Sequence, residues 1–260
     1  IEATGHKVIA IDSREGKLLA SDIEDYMRNF YADETWMHMS IPAMVYITFP
    51  TEFGTLYSLA ELEAISDVCK RYSLKLYLDG ARLGSALCSP VNDLEPADIA
   101  RYTDVFTVGG TKQGALFGEA VVINNPDLKP HFRYMMKRSG ALLAKGRLLG
   151  IQFCELLGRH NAENDEPRSR LYFTLAQKAV DNAMRIRAAL MEKEIPLLVD
   201  SPTNQLFPVL TDAQMETLED EFAFSSWERV DELHTAVRIC TSWCTRDEAV
   251  EALISAIKGL

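Results

Sequence analysis

The chain has 260 residues, of which 47% are hydrophobic and 25% are charged, a composition typical of a globular protein with a full core. Its 38 acidic residues outnumber its 27 basic residues, and the formal net charge of −11 argues against nucleic-acid binding, which needs concentrated positive charge. No apolar run is long enough to cross a membrane, and the first residues do not resemble a signal peptide. The 5 cysteines predict reduced thiols and a cytoplasmic location.

The first half of the sequence alternates predicted strands and helices. Short apolar runs rich in β-forming residues predict strands at 44–49, 74–78, 104–108 and 119–123, and the opening residues 4–11 suggest another. A helix over 59–73 begins with a capping box formed by Ser58 and Glu61. This alternation predicts crossover connections and a mostly parallel sheet.

The second half of the sequence predicts a smaller α+β layer. Long helices are expected over 129–159, interrupted at Ser139 and Gly140, and over 168–193. The shorter predicted elements are strands at 197–199, 205–210 and 236–243 and helices that begin at Thr211 and Thr245. The polar segment 161–167 is the best candidate boundary, and it divides the chain into domains 1–160 and 161–260.

An Asp-Gly-Ala-Arg run at 79–82 directly follows a predicted buried strand. Ligands of open parallel sheets lie beyond the carboxyl ends of the strands, so Asp79 is placed to act on a ligand. Asp-Gly is also a common turn dipeptide, and the residues alone leave both interpretations open.

A lysine lies in the glycine-rich loop 109–114, between the third and fourth predicted strands. The loop is not a P-loop, because Thr111 precedes Lys112 and a strand follows. A solvated surface lysine is the ordinary alternative. A carboxylate at one strand end and a lysine after the next core strand are nevertheless what a pyridine aldehyde cofactor requires. The lysine forms an imine with the aldehyde, and the carboxylate keeps the ring nitrogen protonated.

Three segments together resemble the low-specificity threonine aldolases and β-eliminating lyases among the fold-type-I pyridoxal-phosphate enzymes: residues 76–82, 109–114 and 236–243. The resemblance implies an α/β, aminotransferase-like large domain with a mostly parallel sheet over 1–160, and a small α+β C-terminal domain over 161–260. It also implies that the phosphate-binding loop and the aromatic residue stacked on the pyridine lie N-terminal to these residues. We therefore expect residues 1–260 alone to bind pyridoxal 5'-phosphate weakly.

The same resemblance implies a role for each matching residue. Asp79 matches the carboxylate on the ring nitrogen, Ala81 the small residue against the ring face, and Lys112 the Schiff-base lysine. Arg82 matches an arginine near the substrate carboxylate and the ring oxygen. Arg238 matches the arginine that grips the α-carboxylate, a task suited to a planar, bidentate guanidinium.

Three further residues are candidates on weaker grounds. Glu52 stands where well-known threonine aldolases have a histidine, and it is our candidate acid/base. Arg138 and Lys145 are spaced to lie on one face of a predicted helix, and they resemble two basic positions that reach the cofactor across a subunit interface. Ordinary solvated charges fit both residues equally well. We expect a homodimer or homotetramer, and no metal site.

The expected reaction is cleavage of the Cα–Cβ bond of a β-hydroxy-α-amino acid, such as threonine or allo-threonine, to glycine and an aldehyde. A β-eliminating lyase and an aminotransferase are alternatives that use the same cofactor. An inactive remnant of such an enzyme that serves as an interaction protein is an alternative of another class.

Overall fold

A four-stranded sheet forms the first layer of the structure, a computed structural model that describes residues 4–159 and 166–260, with Pro167 described by its backbone alone. Its strands are β1 (Met44–Thr48), β2 (Lys75–Asp79), β3 (Val105–Gly109) and β4 (Glu119–Ile123), in this order across the sheet. The pairs β1–β2 and β2–β3 are parallel, and β4 is antiparallel to β3. The predicted mostly parallel sheet is confirmed.

The helices around this sheet are α1 (Ala20–Ala32), α2 (Leu59–Arg71), α3 (Leu83–Leu87) and α4 (Pro96–Tyr102). α2 begins with the predicted capping box, since Ser58 N donates to Glu61 Oε2 at 2.8 Å and Glu61 N donates to Ser58 Oγ at 3.3 Å. The predicted opening strand is wrong, because residues 6–13 are irregular, mostly exposed and unpaired with any described strand. α1 was not predicted, although its buried face is regular: Ile23, Met27 and Phe30.

The long helix predicted over 129–159 consists of two separate helices, α5 (Phe132–Arg138) and α6 (Arg147–Leu157). α5 ends because Gly140 adopts the left-handed conformation, with φ 72°. Gly140 N and Ala141 N then close the helix on Lys137 O and Met136 O, at 3.1 and 2.8 Å, as in a Schellman motif. The prediction that Arg138 and Lys145 share one helix face is therefore wrong.

A second, antiparallel sheet lies in the C-terminal part, with strands β5 (Gln205–Leu206), β6 (Val209–Thr211), β7 (Ser225–Arg229) and β8 (His234–Cys240). β5 and β6 continue one another along one side of β8, while β7 pairs separately with β8. Pro208, which has no N–H to donate, interrupts the strand predicted at 205–210. The strand predicted at 197–199 is reduced to one bridge, from Leu197 to Pro208.

Helices α7 (Leu171–Glu192), α8 (Asp212–Glu219) and α9 (Asp247–Gly259) complete this part of the chain. α8 has the predicted capping box, in which Gln214 N donates to Thr211 Oγ1 at 3.1 Å. The predicted start of the last helix at Thr245 is wrong. The Thr245 hydroxyl instead accepts a hydrogen bond from Ser242 N at 2.9 Å, and the N-cap is Arg246.

Two hydrophobic cores share the helix α7. Its first half contributes Tyr172, Ala176 and Val180 to the core of the first sheet, and its second half contributes Ile186 and Leu190 to the core of the second. The predicted domain boundary at 161–167 lies mainly outside the described residues, so the division into 1–160 and 161–260 stays a prediction. Within the described ranges, no helix is long and apolar enough to span a membrane.

Candidate active site

Asp79 is the last residue of β2, at the carboxyl end of a parallel strand. Leu76 and Leu78 alternate into the core, so the side chain of Asp79 points to the opposite face. Its Oδ1 accepts a hydrogen bond from Ala81 N at 2.9 Å, which holds the carboxylate over the turn. β2 ends at Asp79, so Ala81 lies in the turn and does not continue the strand. Asp79 is thus both a turn residue and a carboxylate at the carboxyl edge of the parallel strands.

Tyr46 of β1 is a second partner of this carboxylate that the sequence did not reveal. Its hydroxyl donates to Asp79 Oδ2. Its ring stacks on Tyr77, the residue opposite it in β2, with the centroids 5.3 Å apart and the planes at 8°. Partial burial, and then the neighbouring Asp79 carboxylate, raise the pKa of Tyr46 above its usual range. The hydroxyl therefore keeps its proton and remains a hydrogen-bond donor.

The loop that carries Lys112 is in backbone contact with the turn after Asp79. Gly109 N donates to Gly80 O at 2.9 Å, and a Cβ on Gly109 would lie only 2.1 Å from Ala81 O. Thr111–Gln113 then form one turn of 3-10 helix. Only a residue without a side chain allows this approach, which brings the lysine loop and the aspartate turn together.

The charges that act most strongly on the pKa of Lys112 belong to residues that the sequence singled out. Partial burial, and then the positive charge of Arg82, lower the pKa of the Lys112 amine. Glu52 and Asp79, and more weakly Cys240, oppose this shift. Lys112 lies at the exposed rim of the site, where incoming molecules can reach it. A lysine with a lowered pKa has a larger fraction of neutral, nucleophilic amine.

Arg82 forms an ion pair with Glu52, with Arg82 Nη1 3.5 Å from Glu52 Oε1. The Arg82 side chain is only 12% exposed, whereas that of Glu52 is 60% exposed. The guanidinium therefore lies in the wall of the site, whereas the carboxylate extends into solvent. The structure brings together Lys112, Asp79, Arg82 and Glu52 from three different loops.

The loop that carries Glu52 is held from two sides by buried hydroxyl groups. Thr55 Oγ1 donates to Glu15 O at 2.7 Å, which attaches the loop to the N-terminal segment. Ser201 Oγ donates to Gly54 O at 3.3 Å, which attaches it to the C-terminal part. Gly54 has φ 75°, and a Cβ there would lie 2.1 Å from Ser201 Oγ. The backbone beside Glu52 is therefore attached to both parts of the chain.

Arg238 lies on β8, on the face that points away from the second core. Val237 packs into that core, so Arg238 and Cys240 share the opposite face. Cys240 also acts weakly on the pKa of Lys112, so the end of β8 lies near the lysine. Arg238 also has an aromatic partner that the sequence did not reveal, with its Cζ 5.4 Å from the ring centroid of Trp227.

Arg138 and Lys145 are not joined to this group within one chain. Both side chains are exposed, at the end of α5 and in the irregular segment that follows. Among the described residues, no hydrogen bond or ion pair links either of them to Asp79, Arg82 or Lys112.

The chain has the aminotransferase-like α/β fold of the fold-type-I pyridoxal-phosphate enzymes, as the sequence predicted. A 4-hydroxyphenylacetaldehyde synthase from Rhodiola rosea, only 13% identical, superposes with a TM-score of 0.68 over 99% of this chain and 58% of its own. A sequence model of the beta-eliminating lyases matches residues 1–210, and the chain belongs to this family.

Relatives that share more of its sequence are named as threonine aldolases. A threonine aldolase structure from Leishmania major is 43% identical, with a TM-score of 0.90 over 99% of this chain and 71% of its own. A low-specificity L-threonine aldolase from Pseudomonas aeruginosa is 35% identical over 159 residues, which is 60% of this chain. That alignment spans 44% of the Pseudomonas protein. The predicted relationship to threonine aldolases is confirmed.

Proposed function

We propose that this chain carries the active-site residues of a pyridoxal-phosphate lyase that cleaves the Cα–Cβ bond of threonine or allo-threonine to glycine and an aldehyde. The observation that carries the proposal is the backbone contact between the turn of Asp79 and the loop of Lys112. The relatives that are 35% and 43% identical are threonine aldolases by name, which favours this reaction over the alternatives.

The residues present fit the cofactor's ring and aldehyde. The ring nitrogen requires a carboxylate, and Asp79 offers one at a strand end, held by the N–H of Ala81. The aldehyde requires an amine, and the amine of Lys112 has a lowered pKa. Pyridoxal phosphate, when bound, supplies an aldehyde carbon that takes up an amine and a ring that accepts the electrons released at Cα.

Lys112 would supply the amine that holds the cofactor through its aldehyde carbon. Asp79 holds a proton on the ring nitrogen through a charge-assisted hydrogen bond. Ala81 lies in the turn after Asp79, with its backbone against Gly109. Its small side chain would leave room for the face of the cofactor ring.

Arg238 and Arg82 bind the substrate carboxylate, which fixes the amino acid so that the bond to be cleaved is correctly oriented. Arg82 is suited to this because it is nearly buried and its guanidinium is already oriented. Glu52 takes the proton from the β-hydroxyl group and returns one to Cα. Its exposed carboxylate can reach a bound substrate, and its ion pair with Arg82 holds it at the edge of the site.

We also propose a homodimer or homotetramer with a cytoplasmic location. Apolar side chains on α5 and α6 that a monomer would leave in water support an oligomer: Tyr134, Met135, Leu148 and Ile151. Arg138 and Lys145 lie in the same part of the chain and would reach a neighbour's site. The 5 free cysteines support a reducing compartment. Sedimentation that shows an active monomer would contradict the oligomer.

The test of the cofactor assignment is borohydride trapping of pyridoxal phosphate on the purified protein, followed by peptide mass spectrometry. We expect the label on Lys112, and its loss in Lys112→Ala. Lys178→Ala, which removes an exposed lysine of α7, is the matched control and should label normally. Labelling of Lys112→Ala to the wild-type extent at another lysine would overturn the assignment.

Product analysis then separates the possible reactions. Incubation with L-threonine or L-allo-threonine should release glycine and acetaldehyde in equal amounts. Pyruvate and ammonia from an amino acid with a β-leaving group would indicate a β-eliminating lyase, and transfer of the amino group to a keto acid would indicate an aminotransferase. A protein that forms no adduct and no product would be the non-enzymatic remnant.

A further inference from the structure

Trp227 lies at a β-bulge in β7, where its side chain contacts the proposed carboxylate-binding arginine of β8. Ser226 pairs with Val237 and Glu228 pairs with Ala236, so Trp227 is the extra residue without a partner of its own. A bulge redirects the side chain of the inserted residue. Here the ring of Trp227 lies against the guanidinium of Arg238, with 5.4 Å between the ring centroid and Cζ.

The ring of Trp227 is itself held in place by two phenylalanines. Phe207 lies edge-to-face against it at 5.0 Å and 67°, and Phe53 does so at 5.5 Å and 70°. Phe207 is fully buried, so it holds the indole in a fixed position. Phe53 follows Glu52 directly in the chain. One indole ring therefore contacts the arginine of β8 and also the loop of the candidate acid/base.

We propose that Trp227 is a positioning residue for substrate recognition, which holds Arg238 with its guanidinium plane oriented for a carboxylate and keeps that arginine in register with the Glu52 loop. The inference rests on the proposed function, since it takes Arg238 to bind the substrate carboxylate. A free arginine side chain samples many rotamers, and binding must restrict them. An arginine already stacked on an aromatic face loses less freedom when the ligand arrives.

The kinetic test compares Trp227→Phe and Trp227→Leu with the wild-type holoenzyme. We expect Trp227→Leu to raise the KM for L-threonine by about three- to tenfold, as loss of a cation–π contact implies, with little change in kcat. Trp227→Phe keeps an aromatic face, so its KM should lie between those of the wild type and Trp227→Leu. Trp36→Leu is the matched control, because the aromatic contacts of Trp36 within the described residues are with Phe30 and Tyr31, and the KM of this variant should equal that of the wild type.

A binding measurement keeps the inference separate from the proposed reaction. In a variant with Trp36→Phe and Trp243→Phe, Trp227 is the only remaining tryptophan and reports on its own surroundings. We expect L-threonine to change the fluorescence emission of Trp227, whereas threoninol, which lacks the carboxylate, should not change it. Arg238→Met should abolish the response to L-threonine.

The outcomes distinguish the positioning role of Trp227 from the proposed reaction. An active wild-type protein in which Trp227→Leu leaves the KM unchanged, or in which the emission ignores the carboxylate, overturns the positioning role alone. An inactive protein that still shows the carboxylate-dependent emission overturns the proposed reaction alone. Inactivity together with an unresponsive Trp227 overturns both.

Discussion

The hydroxyl of Tyr46 and the carboxylate of Asp79 are joined by a hydrogen bond across the first two parallel strands. Tyr46 is in turn stacked on Tyr77, so the donor approaches from a fixed direction. The Asp79 carboxylate is thereby held on both oxygens, by Ala81 N on Oδ1 and by Tyr46 on Oδ2. The carboxylate is oriented before any ligand arrives.

Replacing Tyr46 with Phe should lower the free energy of unfolding by about 1 kcal/mol, less than a buried hydrogen bond to a charged group contributes, because Tyr46 is 47% exposed. The difference should also depend on pH. The folded pKa of Tyr46 is raised, so its stabilising contribution is complete below pH about 10 and declines as the pH rises further. Urea unfolding between neutral pH and pH about 11 measures this. A difference that stays constant over that range would show that Tyr46 ionises normally.

Replacing Asp79 with Asn should reduce kcat more than it weakens cofactor binding. The amide can still accept from Ala81 N and can donate to the Tyr46 hydroxyl, so the fold is preserved. Cofactor affinity should fall by no more than about 1.5–3 kcal/mol, the contribution of a charge-assisted hydrogen bond. Titration of the apoprotein with the cofactor and steady-state kinetics measure the two effects. Near-normal turnover would mean that Asp79 is only a turn residue.

Replacing Arg82 with Met should raise the pKa of Lys112. Burial is the larger cause of the lowered pKa and remains, but the repulsion from the guanidinium is removed. The rate of borohydride-trapped cofactor attachment should therefore shift to higher pH, because less of the amine is neutral at a given pH. Glu52→Gln is the matched variant with the opposite expected effect. It should shift the pH dependence of the trapping rate to lower pH, since Glu52 raises the pKa of Lys112. Shifts in the same direction would contradict this electrostatic account.

Replacing Gly109 with Ala should destabilise the protein by about 1–3 kcal/mol, because the new methyl group overlaps Ala81 O at 2.1 Å. The backbone must separate at this point, so trapping at Lys112 should slow as well. Gly150→Ala is the control: Gly150 lies within α6 with no atom within 4 Å of its added methyl group, and the change should stabilise by about 0.5–1 kcal/mol. Thermal unfolding compares the two.

Local signals in the sequence predicted local structure well. The capping boxes at Ser58 and Thr211 set helix starts correctly, because each involves only residues three apart. Thr245 has the same pattern, but its hydroxyl bonds to the preceding turn, a competition that the pattern does not describe. Gly140 was recognised as an interruption, yet the left-handed conformation that separates α5 from α6 is visible only in the structure.

The site was predictable where chain order alone brings residues together. Asp79 and Lys112 follow neighbouring strands of a parallel sheet, so their proximity follows from topology. The contacts of Tyr46 and Trp227 depend instead on strand register and on a bulge between Ser226 and Glu228. Alternating apolar residues show which face a strand buries, but not which residue of the next strand lies opposite.

The helix α7 limits how the two sheets can move relative to each other. The lysine loop packs on it through Gly114, next to Leu175, and the end of β8 is tied to it where Thr241 Oγ1 donates to Ala179 O at 2.6 Å. These two anchor points lie one turn apart on a helix without glycine or proline. A hinge rotation of the C-terminal sheet would have to bend α7 or break the hydrogen bond between Thr241 and Ala179. We expect ligands to enter and leave by small rearrangements of side chains at the rim, with the distance between Lys112 and β8 nearly constant throughout turnover.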